Sequence, residues 1–138
     1  MSTDYRVIHE SPDINEFIRL RKSIGWGDTD FVMAEKSLKN SLFNVSIYDD
    51  DILVGIGRVV GDGYMFFYIQ DVVVEPKYQQ KGIGSLLMKE IEFYLSTNAK
   101  KGSTIGLLAA KGKEDFYSKY GYQERSGDPL GKGMCKFV

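Results

Sequence analysis

The chain has 138 residues, of which 43% are hydrophobic and 27% are charged, so it can bury a core and is not a disordered chain. Eighteen basic residues against 19 acidic ones leave a net charge of −1, which argues against a surface built to bind duplex nucleic acid. A single cysteine and a single histidine exclude an internal disulfide and a zinc site made of nitrogen and sulfur ligands.

Neither a signal peptide nor a membrane span is predicted. Residues 1–6 lack the basic start and apolar run of a signal peptide, and nowhere do 18 apolar residues follow one another. The low cysteine content fits a reducing compartment. We therefore expect one soluble, cytoplasmic domain over residues 1–138 that binds neither membranes nor nucleic acids.

The N-terminal part predicts a short strand and two helices. Residues 5–9 alternate as in a strand, and residues 11–13 offer a cap and a first-turn proline for a helix. The loop 25–28, which contains two glycines and the only tryptophan, ends this helix. Thr29 or Asp30 caps the second helix.

The middle of the chain has the period of strands. Residues 43–47 alternate, residues 52–60 are strand-like, and residues 64–75 are aromatic and β-branched. Asp49-Asp50-Asp51 and Gly61-Asp62-Gly63 separate these segments as turns. We predict an antiparallel meander of three strands, and we interpret the three aspartates as a solvated hairpin tip rather than a metal site.

The C-terminal part predicts two helices and three strands. An apolar stripe from Ile83 to Leu95 indicates a long amphipathic helix that ends near Asn98. The later elements are a strand at 104–109, a short helix at 114–120 closed by Gly121, and strands at 122–125 and 134–137. This order of strands and helices is typical of an α+β or mixed α/β sheet.

The loop before the long helix has the chemistry of a pyrophosphate site. Gly82 and Gly84 allow backbone amides to converge at the helix N-terminus, and Lys81 adds a positive charge. The alternative is an ordinary strand-to-helix turn. The GxxxxGK spacing of an ATP-type loop is absent, and a hairpin follows the glycines from Gly55 to Gly61, so a dinucleotide fingerprint does not fit. We interpret Gly55 and Gly57 as strand-twist or bulge positions.

Two motifs resemble the GNAT superfamily of N-acetyltransferases. Gln79-x-x-Gly82-x-Gly84 is similar to the acetyl-CoA signature (Q or R)-x-x-G-x-(G or A) of that family. The segment from Asp115 to Tyr122, DFYSKYGY, is similar to its F-Y-x-x-x-G-(F or Y) segment. The order and separation of the motifs, and the predicted elements around them, match the family. The likeness is to small amine acetyltransferases of the glucosamine-phosphate and serotonin types.

This resemblance implies a GNAT-like α+β (mixed α/β) fold. The central mixed sheet is mostly antiparallel, has about seven strands with the fourth and fifth splayed apart, and is flanked by about four helices. The implied activity is direct transfer of the acetyl group of acetyl-CoA to a primary amine of a small molecule or peptide, without a metal. A non-catalytic CoA-binding sensor or interaction module, a phosphate site for another nucleotide, and a homodimer stay open.

The resemblance also implies which residues bind acetyl-CoA. The amides of the loop would hold the pyrophosphate, the fourth strand would pair with the pantetheine arm, and an amide near Val72 would stabilise the oxyanion. The implied residues are Val72, Val73, Val74, Gln79, Gln80, Lys81, Gly82, Ile83, Gly84, Ser85 and Tyr117. Many members carry Asn six residues before the Phe-Tyr pair, where this chain has Ala110.

Tyr117 is the candidate general acid for the departing thiolate, because a phenol with a pKa of about 10 is a proton donor at neutral pH. The alternative is an aromatic packing residue. Asp71 or Glu75 could take the proton of the amine, and Asp71 is preferred because it lies inside the aromatic strand. The alternative for Asp71 is a carboxylate that pairs with an arginine or caps a loop.

Trp26 and Tyr64 are the candidate acceptor-site residues. Trp26, with Asp28 and Asp30 beside it, could form a wall of the site, although an aromatic anchor for the loop fits nearly as well. Two further residues are interpreted as structural. His9 lies in the first strand, and Cys135 is expected to be a packed thiol of the last strand.

Overall fold

Ten elements of secondary structure follow one another in the computed structural model, which describes residues 4–138. They are β1 (Arg6–Ile8), α1 (Ile14–Ser23), α2 (Phe31–Lys39), β2 (Phe43–Asp49), β3 (Ile52–Gly61), β4 (Phe66–Val74), a 3-10 turn (Pro76–Tyr78), α3 (Ile83–Asn98), β5 (Thr104–Leu107) and α4 (Glu114–Ser118). The chain divides into two units, the first ending at Ile105 and the second covering Gly106–Val138.

The five strands form one sheet in the order β1-β2-β3-β4-β5. The first four pair as antiparallel neighbours, so the predicted meander of β2, β3 and β4 is confirmed. The amide of Thr104 donates to the carbonyl of Met65 over 2.7 Å, which brings the starts of β4 and β5 side by side. These two strands therefore run in the same direction, and the sheet is mixed.

Both N-terminal helices begin at aspartates. Asp13 accepts a hydrogen bond from the amide of Glu16 at 3.0 Å, and Asp30 accepts one from Met33 at 2.9 Å. Such caps satisfy amides that have no partner inside the helix. The predicted helices are confirmed, although Pro12 precedes the cap instead of lying in the first turn. The two helices bury residues against one face of the sheet, in a cluster of Phe17, Leu20, Ala34, Leu38, Leu53, Ile56 and Val73.

The long helix α3 packs against the opposite face of β3. Ile56 faces α1 and α2, so its neighbours Gly55 and Gly57 face the other way. A Cβ atom at Gly55 would lie 2.8 Å from Cγ2 of Ile83, and one at Gly57 would lie 2.8 Å from Cδ1 of Ile91. Gly55 lies beside the register shift between β2 and β3, and Gly57 lies within the one between β3 and β4, which agrees with their interpretation as twist or bulge positions. The structure adds a second cause that the sequence did not indicate, because the helix approaches the strand too closely for a side chain at either position.

A bulge interrupts β4 at Asp71. Ile56 pairs with Val73 but Arg58 pairs with Gln70, so β4 has one more residue in this interval than β3. Asp71 has a left-handed backbone with φ of 55°. The extra residue reverses the alternation of side chains. The ring of Phe67 contacts Tyr94 of α3, whereas Val73 packs on the side of α1 and α2.

The C-terminal segment differs from the prediction. Residues 122–138 contain neither strand nor helix, so the strands predicted at 122–125 and 134–137 are wrong, and residues 4–138 contain five strands rather than about seven. Met134 and Phe137 are 92% and 93% exposed, and Cys135 is exposed rather than packed. Three glycines and Pro129 fall within residues 127–133, and such residues weaken strands. None of the helices in the described part of the chain could cross a membrane.

Candidate active site

The loop between β4 and α3 is fixed by three side chains. Nε2 of Gln79 donates to the carbonyl of Val74 at 3.2 Å and so closes the loop onto the end of β4. The carboxylate of Glu75 caps the 3-10 turn by accepting from the amide of Lys77 at 2.6 Å. The hydroxyl of Tyr78 donates to Oδ2 of Asp49 at 2.6 Å. The loop is therefore held at the strand end, at the turn and at the β2–β3 hairpin.

The N-terminus of α3 has no side-chain cap. Gly82 occupies the cap position with a left-handed backbone, φ 83°, and the first helical hydrogen bond runs from the amide of Leu86 to the carbonyl of Gly82. Within residues 4–138, the amides of residues 80–85 have no hydrogen-bond partner. A Cβ atom at Gly82 would meet nothing within 4 Å. The loop thus presents free amide donors at the positive end of a helix dipole.

Lys81 supplies the positive charge of this loop. Its ammonium nitrogen lies 5.9 Å from the centroid of the Tyr78 ring. Free amides, a helix N-terminus and a cation together favour a bound anion such as a pyrophosphate. The structure therefore places the predicted loop residues Gln79, Gln80, Lys81, Gly82, Ile83, Gly84 and Ser85 in one short segment at the start of α3.

The strand end next to the loop carries the residues predicted to pair with pantetheine. Val73 and Val74 pair with Ile56 and Gly55 of β3. Val72 lies in the bulge and has no register partner on β3. These three residues lead directly into Glu75 and the loop, so the predicted cofactor residues of the first unit all lie within residues 72–85.

Asp71 is a buried carboxylate between two arginines. Its side chain is 1% exposed, Nε of Arg58 donates to Oδ2 at 2.8 Å, and Arg21 forms an ion pair with Oδ1. Gln70 donates to Oδ1 as well, at 3.1 Å. This arrangement favours the alternative considered from the sequence, a carboxylate paired with arginine. Arg21, Arg58 and Gln70 all donate to the carboxylate of Asp71, so its role is to pair with the two arginines. Its oxygens are poorly placed to accept a proton from an incoming amine.

Sequence reasoning missed both arginines of this cluster. Arg21 lies in the last turn of α1, and Arg58 lies in β3, 50 and 13 residues from Asp71. Arg58 also donates to the carbonyl of Ser37 at 3.2 Å and to Oγ of Ser41 at 3.1 Å. One feature of the sequence could have indicated them: Asp71 lies inside an apolar strand, and a buried carboxylate requires a cation as its partner.

Trp26 joins the same cluster through Arg21. The amides of Gly25 and Trp26 bond back to the carbonyls of Lys22 and Arg21, at 3.0 and 3.1 Å, and this C-terminal motif fixes the tryptophan beside the helix end. The guanidinium carbon of Arg21 lies 5.0 Å from the centroid of the Trp26 ring. Trp26 is 38% exposed. Two predicted site residues, Trp26 and Asp71, are therefore brought together by an arginine.

Tyr64 is placed away from this cluster. It lies in the β3–β4 turn, where the carboxylate of Asp62 accepts the amides of residues 64–66 at 2.8, 2.9 and 3.0 Å. Its side chain is 83% exposed. The six residues from Phe66 to Asp71 span about 16 Å of extended strand, so the structure does not bring Tyr64 to Trp26.

Tyr117 lies in α4 of the second unit. Its ring meets the ring of Phe116 edge-on, with centroids 5.1 Å apart. Burial raises the pKa of Tyr117 above its usual value, because desolvation disfavours the phenolate. The hydroxyl is therefore protonated at neutral pH, which is the state a general acid needs.

The remaining candidates have structural contacts. Nε2 of His9 pairs with Glu90 of α3 at 2.6 Å, and the ring of His9 packs edge-on against Phe43 at 5.1 Å, which ties β1 to α3. Asp28 pairs with Lys22 at 3.1 Å. Among residues 4–138, no three side chains of the ligating types gather as a metal site.

Comparison with known proteins agrees with this geometry. Residues 29–138 match the family described as acetyltransferase (GNAT) domain. An uncharacterized N-acetyltransferase ycf52-like from Prochlorococcus marinus is 32% identical over 115 residues, which cover 80% of this chain and 62% of that protein. The chain therefore spans less than two thirds of the length of this relative.

Solved structures extend the likeness to the fold. A protein of unknown function from meticillin-resistant Staphylococcus aureus, SA2161, described as a probable acetyltransferase, is 33% identical, with a TM-score of 0.89 and coverage of 97% of this chain and 99% of that one. A predicted acetyltransferase with acetyl-CoA from Clostridium acetobutylicum is 17% identical, with a TM-score of 0.67 and coverage of 89% and 91%, and is similar in fold alone. The chain belongs to the GNAT family of acetyltransferases.

Proposed function

We propose that this protein transfers the acetyl group of acetyl-CoA to a primary amine of a small molecule or peptide by direct transfer. The observation that carries the proposal is the set of unpartnered amides of residues 80–85 at the uncapped N-terminus of α3, with Lys81 beside them. This arrangement suits the pyrophosphate of CoA. Family membership and the Clostridium acetobutylicum structure with acetyl-CoA support the same ligand.

The chain's own residues supply the other requirements of the reaction. The main chain of Val72, Val73 and Val74 pairs with the pantetheine arm as an added strand. The amide of Val72, which has no register partner on β3, donates to the oxygen of the acetyl carbonyl as negative charge develops there.

The transfer step forms one bond and breaks another. The amine nitrogen attacks the acetyl carbon, an amide C–N bond forms, and the thioester C–S bond breaks. The leaving thiolate takes its proton from the hydroxyl of Tyr117. Before the attack, the ammonium gives up one proton through water to Glu75, and the second proton that the nitrogen loses as the amide forms restores the hydroxyl of Tyr117. That carboxylate accepts an amide at Oε2, while no described residue donates to its Oε1.

A thiol-release assay tests the proposal directly. The protein is mixed with acetyl-CoA and a panel of amines, which contains amino acids, amino sugars, aromatic amines, polyamines and peptides, and free CoA is followed with a chromogenic thiol reagent. We expect CoA release that depends on one amine class and an acetylated amine detectable by mass spectrometry. If no class of amine is acetylated, the proposed catalysis is wrong.

A tyrosine substitution distinguishes the enzyme from a non-catalytic CoA-binding module. Tyr117→Phe should lower kcat by about two to four orders of magnitude, while the Kd for acetyl-CoA, measured by calorimetry, should change far less because the aromatic ring is kept. Tyr120→Phe is the matched control, because Tyr120 packs against Phe116 at 5.7 Å in the same segment. Equal activity of the two variants would argue against Tyr117 as the acid.

A further inference from the structure

The cluster around Asp71 carries an excess of positive charge. Two arginine side chains, 22% and 14% exposed, share the one carboxylate of Asp71. Three acidic residues that lie near Arg21 in the sequence have other partners. Glu16 pairs with Arg19 at 2.9 Å, Asp28 pairs with Lys22 at 3.1 Å, and Asp30 caps α2. The cluster therefore has a formal charge of +1 in a partly buried position, where an unbalanced charge is costly.

Arg21 has a donor left for a ligand. Its Nη1 binds Asp71 and its Nε donates to Oγ1 of Thr29 at 3.3 Å. No described residue accepts a hydrogen bond from its Nη2. By contrast, Arg58 is the more buried arginine and is further fixed by Ser37 and Ser41. The excess charge is thus accessible at Arg21.

The surroundings of Arg21 are already ordered for binding. Its guanidinium carbon lies 5.0 Å from the Trp26 ring centroid and 5.8 Å from the Phe17 ring centroid. Trp26 is held by its own backbone bond to the carbonyl of Arg21. An arginine that is fixed before a ligand arrives loses little side-chain entropy when it binds an anion.

We propose that Arg21 recognises an anionic group of the amine acceptor, so that the substrate class is amines that carry a carboxylate or a phosphate. The anion binds Nη2 of Arg21 and balances the charge of the cluster, while the body of the acceptor lies against the exposed part of Trp26. This inference rests on the proposed function, which it makes more specific. Carboxylate and phosphate share the chemistry that arginine recognises, and the experiment separates them.

Matched pairs of amines test the wild-type protein without any substitution. Trp26 is the only tryptophan, so its fluorescence reports binding at this position. Phenylalanine is compared with phenylalaninamide, and O-phosphoethanolamine with ethanolamine, in the presence of CoA. We expect the anionic member of at least one pair to bind about tenfold more tightly or better, and the preference to fall with added salt. The pair that responds identifies carboxylate or phosphate.

Two substitutions on one helix assign the effect to Arg21. Arg21→Gln should remove the preference for the anionic member, whereas Lys22→Gln removes the same charge from the next residue, which is 67% exposed, and should leave the preference intact. Arg21→Lys keeps the positive charge but lacks the planar set of guanidinium donors, so it should retain part of the preference for the anionic member. Circular dichroism shows whether each variant is folded.

The outcomes separate this inference from the proposed function. Equal binding of the two members of both pairs to the wild type, or no fluorescence response to either anionic member, would overturn the anion site. An unchanged preference in folded Arg21→Gln, or an equal loss in Lys22→Gln, would overturn the assignment to Arg21. If the anionic amines bind and none is acetylated, the anion site stands and the catalytic proposal fails.

Discussion

Arg58 donates from Nε to Oδ2 of Asp71 over 2.8 Å, and this contact joins β3 to the residue at which β4 bulges. Asp71 has φ of 55°, a backbone conformation that aspartate and asparagine tolerate better than most residues. The ion pair and the bulge therefore occur at one residue. Because Val72 lies in the same bulge, the cluster also determines where the end of β4 points.

Asp71→Asn should destabilise the protein without creating backbone strain. Two partly buried arginines then lose their only shared carboxylate, and breaking a buried ion pair from one side typically costs about 3 to 5 kcal/mol. Urea unfolding at pH 7 measures the change. Asp51→Asn, at the exposed tip of the β2–β3 hairpin, is the control and should change stability by less than about 0.5 kcal/mol.

The same variant tests the role of Asp71 in catalysis. If Asp71→Asn folds and retains substantial kcat, the result would agree with a structural role in which Asp71 pairs with Arg21 and Arg58. An unchanged free energy of unfolding together with complete loss of kcat and of the acidic limb of the pH–rate profile would contradict it, because that result is the signature of a general base.

Gly55→Ala should cost more stability than Gly57→Ala. Both introduced methyl groups meet α3 at 2.8 Å, but the partner at Gly55 is Cγ2 of Ile83, which is attached to a stiff β-branched carbon. The partner at Gly57 is Cδ1 of Ile91, the mobile end of the side chain. We expect losses of about 1 to 3 kcal/mol in urea unfolding, with Gly55→Ala the larger.

A double substitution checks the contact itself. Ile83→Ala removes Cγ2, so Gly55→Ala should cost less in the Ile83→Ala background than in the wild type. Strictly additive losses would show that the close approach of helix and strand is not the cause. Because Ile83 begins α3, we also expect Gly55→Ala to raise the KM for acetyl-CoA.

Gly82→Ala should weaken acetyl-CoA binding more than it weakens the fold. Gly82 has φ of 83°, so any other L-residue there costs about 1 to 2 kcal/mol or turns the loop amides away. Gly102→Ala is a matched control, since Gly102 also has positive φ, 102°, and a Cβ atom added there would also meet nothing within 4 Å. Calorimetry should show Kd raised about tenfold or more for Gly82→Ala alone. An equal change in both variants would indicate a general loss of stability.

Local patterns predicted the elements that local chemistry determines. The cap of α1 lies within the predicted segment 11–13, at Asp13, and the cap of α2 is Asp30, one of the two predicted residues. The loop from Gln79 to Gly84 precedes α3, as the sequence indicates. Gly82 is left-handed in the structure, and glycine is the residue that makes this conformation inexpensive. These features depend on neighbours within about four residues, so they can be predicted from the local sequence.

Local sequence patterns could not predict contacts between segments that are far apart in the chain. The partners of Asp71 come from α1 and β3, and nothing near Arg21 or Arg58 in the sequence indicates a shared carboxylate. The close approach of α3 to Gly55 and Gly57 was not predicted, because the helix begins 26 or more residues after them in the sequence. The predicted C-terminal strands failed because alternating residues alone do not supply a neighbouring strand to pair with.

The hydrogen bond from Tyr78 to Asp49 should make stability depend on pH in the alkaline range. This bond is the main reason that the pKa of Tyr78 rises from its usual 10.0 to about 12. A folded-state pKa above the unfolded value means that the contribution is fully present below about pH 10 and is lost as the pH rises through about 12. The difference in urea midpoint between wild type and Tyr78→Phe should therefore be constant from about pH 7 to 9 and shrink above about pH 10. Tyr64→Phe, whose side chain is 83% exposed, should leave the midpoint unchanged. A difference that grows with pH would contradict the bond, since it would require the phenolate of Tyr78 to be the favoured form beside Asp49.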